Sequence, residues 1–398
     1  MNHSAWEVFK AFLKSGVTAF GGPIAHLGYF REEFVQRRRW LDEHAYADLV
    51  SLCQFLPGPA SSQVGFSLGL MRAGLPGALA AWVGFTLPST LLLLLFALYV
   101  ESFSGPAGVA LLHGLKLAAV GIVAQAVWTM ARTLCPDWPR VLIATASALF
   151  LIWAQTPSAQ VAVIIMGAVA GFVAHRSGTI AAPLGHLPTL VPRRMGLSCL
   201  LLFALLLAGL PVLQWLRPGT VLALFDAFYR AGALVFGGGH VVLPLLHESF
   251  VTTGWVDEDR FLAGYGAAQA VPGPLFTFAA YLGAISSIAP TPVLGAAIGI
   301  VGLFLPGMLV LAGVLPFWEA LRRLPRARGV MAGVNAAVVG LLAAALWTPV
   351  WTGTVRGIAD GLLAVGGFGL LVGLRAPPLI VVALFGVAAV LFRLALRM

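Results

Sequence analysis

Long apolar runs alternate along this chain with short polar or helix-breaking punctuation, and the punctuation predicts the elements. Residues 5–20 are mostly apolar but carry Glu7, Lys10 and Lys14, which share one stripe at helical spacing. The run stops at Phe20-Gly21-Gly22-Pro23, where consecutive small or ring-closed residues must interrupt a helix. The next apolar stretch turns charged at Arg31-Glu32-Glu33 and Arg37-Arg38-Arg39. Segments 44–56 and 60–71 flank Pro57-Gly58-Pro59, and each is too short to span a bilayer. They predict a re-entrant hairpin or a pair of half-helices. Full spans are predicted at 75–100 (interrupted by Pro88), 114–134, 140–155, 158–174 and 196–216. A basic loop from Arg176 to Arg194 lies between the last two.

The pattern then restarts. Residues 220–236 lead into Phe236-Gly237-Gly238-Gly239, a segment with His240, His247 and Glu248 follows, and Pro272-Gly273-Pro274 separates 260–271 from 275–289. Further spans are predicted at 291–316, 329–350, 355–374 and 378–396. At an offset of 216 residues, Lys10, Lys14, Leu27, Glu32 and Phe34 match Asp226, Arg230, Leu243, Glu248 and Phe250. At 215, Trp40, Asp42, Glu43, Gln54 and Pro57-Gly58-Pro59 match Trp255, Asp257, Glu258, Gln269 and Pro272-Gly273-Pro274. Pro88 then matches Pro306, and Gly114, Gly121, Trp128 and Thr129 match Gly333, Gly340, Trp347 and Thr348. The order predicts four blocks: repeats at 1–135 and 219–352, connecting segments at 136–218, and terminal segments at 353–398.

Charge sets the relative orientation of the repeats. Four arginines fall between residues 31 and 39, whereas the counterpart, 247–260, holds Arg260 beside Glu248, Asp257, Glu258 and Asp259. Residues 101–113 carry no Lys or Arg, but their counterpart, 319–328, carries Arg322, Arg323, Arg326 and Arg328. Cytoplasmic loops concentrate positive charge, so the halves face opposite ways. The five spans between the first basic loop and its acidic counterpart agree. The predicted fold is an all-α, polytopic membrane bundle built as an inverted repeat with broken, re-entrant helices.

Composition supports the membrane assignment. Of 398 residues, 60% are hydrophobic and 10% charged, with a mean hydropathy of +0.94; soluble domains carry about 25% charged residues. The charged first segment does not read as a cleaved signal peptide. Three isolated cysteines and eight histidines without paired spacing suggest neither a disulfide framework, a metal nor any other cofactor. The net charge of +9, with 21 Arg to 3 Lys, fits loop topology and also attraction of an anion.

The candidate chemistry gathers at the breaks. A helix restarting after Gly21-Gly22-Pro23 or Gly237-Gly238-Gly239 points unpaired N–H groups and a positive dipole end into the membrane interior. Restarts after Pro57-Gly58-Pro59 and Pro272-Gly273-Pro274 do the same, with Gln54 and Gln269 offering amide groups nearby. Small-residue packing and interhelical glue are the bland alternatives. Lys14 and Arg230 are matched intramembrane cations that either meet an anion or snorkel to the interface. His26 and His240 flank the glycine breaks at non-equivalent positions and are candidates for substrate or proton contact or gating, with packing as the bland alternative. Glu32 and Glu248 are candidates for proton coupling, although ion pairs with Arg31 and His247 would explain them too. Lys116 and Asn335 are equivalent donors near the starts of matched helices, candidates for donating to an anion and for proton coupling or gating, with a plain helix-end position as the bland alternative. No Walker, HExxH or Ser-His-Asp pattern suggests an enzyme or a nucleic-acid partner.

The stretch FGGPIAHLGYFREEFVQRRRWLDEHAYADLVSLCQFLPGPASSQ, with FGGGHVVLPLLHESF and GYGAAQAVPGPLFTFAAYLGA in the second half, resembles the paired signatures of the bacterial chromate ion transporter family. The resemblance covers nearly the whole chain. It implies chromate efflux across the inner membrane, driven by the proton motive force, with sulfate as a related oxyanion and protons as the coupling ion. A sulfate importer on the same scaffold and, more remotely, a membrane enzyme or sensor for lipid phosphates are the alternatives. A second copy of the chain is a partner that the sequence leaves open.

Overall fold

The computed structural model describes residues 4–100, 102, 105–154, 156–174, 191–217, 221–321 and 324–395. Among them every regular element is helical. The first half runs α1 (Ala5–Thr18), α2 (Gly22–Phe30) continued by a π turn (Arg31–Arg37), α3 (Glu43–Phe55), α4 (Ala60–Tyr99), α5 (Pro106–Leu134), α6 (Trp138–Trp153) and α7 (Pro157–Ala174). Helix α8 (Arg193–Leu216) connects it to the second half. There α9 (Val221–Leu234), α10 (Val242–Phe250), α11 (Glu258–Ala268), α12 (Phe278–Ile285), α13 (Pro292–Val314), the short α14 (Trp318–Leu321), α15 (Pro325–Ala345), α16 (Ile358–Val372) and α17 (Pro378–Ala395) repeat the order. Most of the Arg176–Arg194 loop, together with Arg322 and Arg323, lies outside the described residues.

Local chemistry sets the matched helix starts. Asp42 caps α3 by accepting from the Ala45 N–H, and Asp257 caps α11 by accepting from the Asp259 and Arg260 N–H groups. Pro106 and Pro325 open α5 and α15, where a missing N–H costs nothing. Helix α4 is not one straight rod. Ala73 and Gly74 leave helical geometry, Gly74 at φ +64°, and Gly69 packs back on Gly77 and Ala81. The chain therefore reverses into a first arm, 60–72, and a second arm, 75–99. Loop 286–291 makes the same reversal between α12 and α13, where Gly283 meets Gly295.

The long apolar helices, with shorter ones beside them, make this a multi-pass, all-α membrane protein. Each half has an equivalent core. Gly16 of α1 meets the backbone at Gly84 and Phe85, and Gly232 of α9 meets the backbone at Leu303. Small residues admit this close approach. Phe12, Phe34 and Trp40 stack in sequence with centroids 4.5 and 4.8 Å apart. Their matches Phe228, Phe250 and Trp255 also meet in sequence, Phe228 tilted on Phe250 at 4.7 Å and Phe250 edge-to-face with Trp255 at 5.7 Å.

The last two helices of each half are exchanged. Helices α6 and α7 pack on α15, while α16 and α17 pack on α5. The matched glycines explain how. Gly114 and Gly121 face α17 and α16, and Gly333 and Gly340 face α7 and α6. Segments that the sequence placed outside the two repeats thus lace the repeats together.

Candidate functional site

All four breaks adopt backbone that side chains resist. Gly21, Gly22, Gly58, Gly237, Gly238 and Gly273 have φ between 75° and 155°. Two reciprocal hydrogen bonds join them across the halves. The Gly58 N–H donates to the Val235 carbonyl at 2.7 Å, and the Gly273 N–H donates to the Ala19 carbonyl at 2.8 Å. Each proline-flanked break therefore docks on the residue before the other half's glycine break. A Cβ at Gly239 would lie 3.4 Å from the Pro23 ring and 3.5 Å from Phe276, so the two glycine breaks and the Pro274 restart meet as well.

Four helical segments begin at this cluster. They are α2 after Gly21, the first arm of α4 after Pro57, Gly58 and Pro59, a 3₁₀ turn (Gly239–Val241) leading into α10, and a 3₁₀ turn (Leu275–Thr277) leading into α12. Each start leaves backbone N–H groups without a carbonyl in its own helix. The two prolines of each Pro-Gly-Pro end the preceding helix and fix where the next one restarts.

Histidine closes each half in its own way. His26 on α2 places Nδ1 3.4 Å from the Ser61 hydroxyl on α4, linking the first two breaks. His240 places Nδ1 2.8 Å from the Tyr265 hydroxyl on α11, beside Gln269, linking the other two. These histidines are not sequence-equivalent, and their partners lie on opposite sides of the Pro-Gly-Pro breaks: Ser61 follows one break and Tyr265 precedes the other. Gln63 donates to the Pro57 and Gly307 carbonyls, both at 2.8 Å, and holds the Gly58 break on α13. Ser61, Ser62, Gln63 and Tyr265 were not singled out from sequence. Their signal was only position, in the first turn after one break and four residues before Gln269.

Several buried polar atoms at the breaks have no hydrogen-bond partner among the described residues. They are Ser62 Oγ, Gln63 Oε1 and Asn335 Oδ1, while His26 lies beside the Ala19 backbone and Gln269 beside the Tyr265 hydroxyl. An unpaired buried polar atom costs about 1–3 kcal/mol. So many at one place mark where water or a polar ligand belongs.

The remaining candidates lie elsewhere. Lys14 is exposed and sits 3.3 Å from Glu33, which also receives Arg37 and Arg38 at 3.2 and 2.8 Å. Burial pushes the Glu33 carboxyl up, but hydrogen bonds from Arg38 and Lys14, with their charges, outweigh it and hold it below the usual range. Arg230 pairs with Asp226 at 2.6 Å and donates to Gln214. Gln54 is exposed at the end of α3, unlike Gln269. Glu32 is exposed, and Arg31 pairs with Glu43 rather than with Glu32. Glu248 lines a cavity of about 190 Å³ with His247, at the end of α10 remote from the breaks.

The cluster is covered unequally. A Cβ at Gly237 would meet Met130 and Leu134 of α5 at 3.3 Å and Asn335 of α15 at 3.4 Å, whereas one at Gly22 would meet nothing within 4 Å. Helix α5 packs on α11, where Lys116, buried, reaches Asp259 at 2.5 Å. Helix α15 packs on α10 and its entry turn. Neither makes comparable packing against α2 or α3.

Comparison with known proteins follows the same halves. The chromate transporter family model matches residues 6–172 and 222–390. A chromate transport protein of Pseudomonas aeruginosa is 28% identical over 345 residues, covering 85% of this chain and 79% of its own. An uncharacterized transporter of Methanocaldococcus jannaschii is 28% identical over 346 residues, 86% of this chain and 84% of its own. A chromate transport protein of Cupriavidus metallidurans is 26% identical over 351 residues, 85% and 81% respectively. No solved structure matches significantly. With both halves matched and the paired breaks in place, the chain belongs to the chromate transporter family.

Proposed function

We propose that this chain is a secondary active transporter that exports chromate across the inner membrane, driven by the proton motive force, and so confers chromate resistance. The observation that carries this reading is the reciprocal pair of bonds, Gly58 to Val235 and Gly273 to Ala19, which gathers four helix starts in one place. A helix N-terminus is worth about +0.5 elementary charge, so four such starts approach the two negative charges of a tetrahedral dianion. Neutral donors then replace its hydration without a cation that would hold it too tightly to leave. His26, Ser62 and Gln269 supply side-chain donors beside the backbone N–H groups.

Reciprocal contacts also support a two-fold relation between the halves. Together with the reversed charge bias of the loops, that relation makes an inverted repeat, the architecture of alternating-access carriers. The uncovered Gly21–Gly22 face is then the open entrance, and the face under Met130, Leu134 and Asn335 is the shut one. Sulfate shares chromate's shape and charge, and donors placed for one suit the other.

Inverted proteoliposomes holding the purified protein test the proposal. An imposed proton gradient should drive chromate accumulation, with sulfate competing. Absence of gradient-dependent accumulation refutes export. Sulfate uptake in the opposite direction would assign the scaffold to import.

A further inference from the structure

We propose that the cavity at the far end of α10 is the proton-binding site of the transport cycle, with the Glu248 carboxyl carrying the proton. This inference rests on the carrier reading above. The cavity, about 190 Å³, lies between α6, α7, α10 and α15. Glu248, His247, Thr252, Thr156, Gln160 and Thr348 give it a polar lining, and Leu341, Ala344 and Ala345 of α15 form an apolar wall.

No Lys or Arg among the described residues lines it. Glu248 and His247 are the titratable groups among its lining residues. Among the described residues, Glu248 receives a side-chain contact from the Thr252 hydroxyl at 3.5 Å. His247 stands edge-on to Phe261 and has Nε2 buried without a partner. Among the described residues, the charges on the elements packed against α10 are engaged elsewhere: on α11, whose Phe261 meets His247, Asp259 pairs with Lys116, and the charge of Arg260 lies near Tyr281. On α9, Asp226 and Arg230 pair with each other. The entry turn brings His240, which is engaged by Tyr265. Helix α7 has no charged residue among those described, and on α15 Arg326 sits over Phe172 at the opposite end of the helix, with Arg328 half a turn further on. The partner left to neutralise Glu248 is therefore a proton.

The connection to the anion is mechanical. Helix α10 is nine residues long, and the turn that starts it is the Gly237–Gly239 break. One short rigid rod thus carries the acid at one end and part of the four-break cluster at the other. Protonated, Glu248 can rest against the apolar α15 wall. Ionised, it must keep water and pull away from that wall, which tilts α10 and shifts Gly237–Gly239. The matched acid, Glu32, is exposed, whereas Glu248 is half-buried and lines a cavity, so the two repeats hold this acid differently. No bond other than O–H forms or breaks.

The test separates coupling from transport. Glu248→Gln in proteoliposomes should retain chromate counterflow within twofold of wild type. It should lose proton-gradient-driven accumulation and chromate-dependent proton movement, read with an internal pH dye. Wild-type gradient-driven accumulation in the variant overturns the proposal. So does loss of counterflow from a variant that purifies as a monodisperse, folded species. Should the variant not fold, dicyclohexylcarbodiimide labelling of the folded wild type decides, because this reagent modifies protonated carboxyls in apolar settings. Mass spectrometry should find Glu248 modified, more at low pH than at high; an unmodified Glu248 overturns the proposal. A wild type that moves no anion while Glu248 labels would sink the carrier reading and leave the acid site standing.

Discussion

The Lys116–Asp259 pair is lopsided, and the lopsidedness makes a quantitative prediction. The Lys116 side chain is 5% exposed and that of Asp259 is 59% exposed, with Arg356 a further 3.8 Å from the same carboxylate. Asp259→Asn leaves a buried ammonium in the α5–α11 interface with its direct ion pair gone and only the more distant charge of Glu258 nearby. Removing one partner of a buried pair costs about 3–5 kcal/mol, and the wet end of this pair places the cost near the lower figure. Lys116→Met keeps the apolar stem against α11 and strands only an exposed carboxylate, a loss of about 1 kcal/mol or less. In the double variant the buried charge is gone, so its stability should follow Lys116→Met. The coupling energy then equals the cost of Asp259→Asn, about 3 kcal/mol by double-mutant cycle. Denaturant unfolding of the four proteins in one mild detergent measures it. A Lys116→Met variant as damaged as Asp259→Asn, or strictly additive costs, would refute the account.

Two further outcomes follow from single positions. Gly58→Val has to place a branched side chain at φ +116°, with its Cβ 2.8 Å from Gly307 Cα and 2.9 Å from the Gln63 amide. Strain and overpacking together cost about 2–4 kcal/mol, so chromate flux should vanish while protein remains in the membrane, and wild-type flux would remove this break from the site. Glu33 sits below its ordinary value of 4.5 when folded, so its contribution is full above that value and fades as pH falls through the lowered folded value. The thermal gap between wild type and Glu33→Gln should be full at about pH 6 and narrow steadily in more acidic buffer; a gap that does not change with pH would contradict the assignment.

The sequence made the breaks legible because glycine and proline declare backbone conformation without help from neighbours. Repetition did the rest: Gly58 and Gly273 could be paired before any contact was known, and their reciprocal bonds to Val235 and Ala19 are what such pairing permits. Phe34, Trp40 and their matches were visible as landmarks, but their job, stacking α1 and α9 on their neighbours, needed three dimensions. The same is true of Gly114 and Gly333, whose partners α17 and α7 are distant in sequence. Lys14 and Arg230 show the limit most clearly. An intramembrane cation near a break suggests an anion, yet the charge is answered by Glu33 in one half and Asp226 in the other. Periodicity reports which face a residue occupies; it does not report what stands opposite.

The exchanged helix pairs bear on how the protein is made. Helices α6 and α7 leave the ribosome and enter the bilayer before α15 exists, so the surface that Gly167 and Gly171 reserve for it first meets lipid. The same holds for α5, whose glycine face waits for α16 and α17. Neither half can finish folding alone, and the last helices synthesised close the earliest interfaces. Contacts so far apart in sequence form slowly. Biogenesis of this fold is therefore insertion first and assembly afterwards, with a half-built intermediate that the membrane must hold in place until the C-terminal helices arrive.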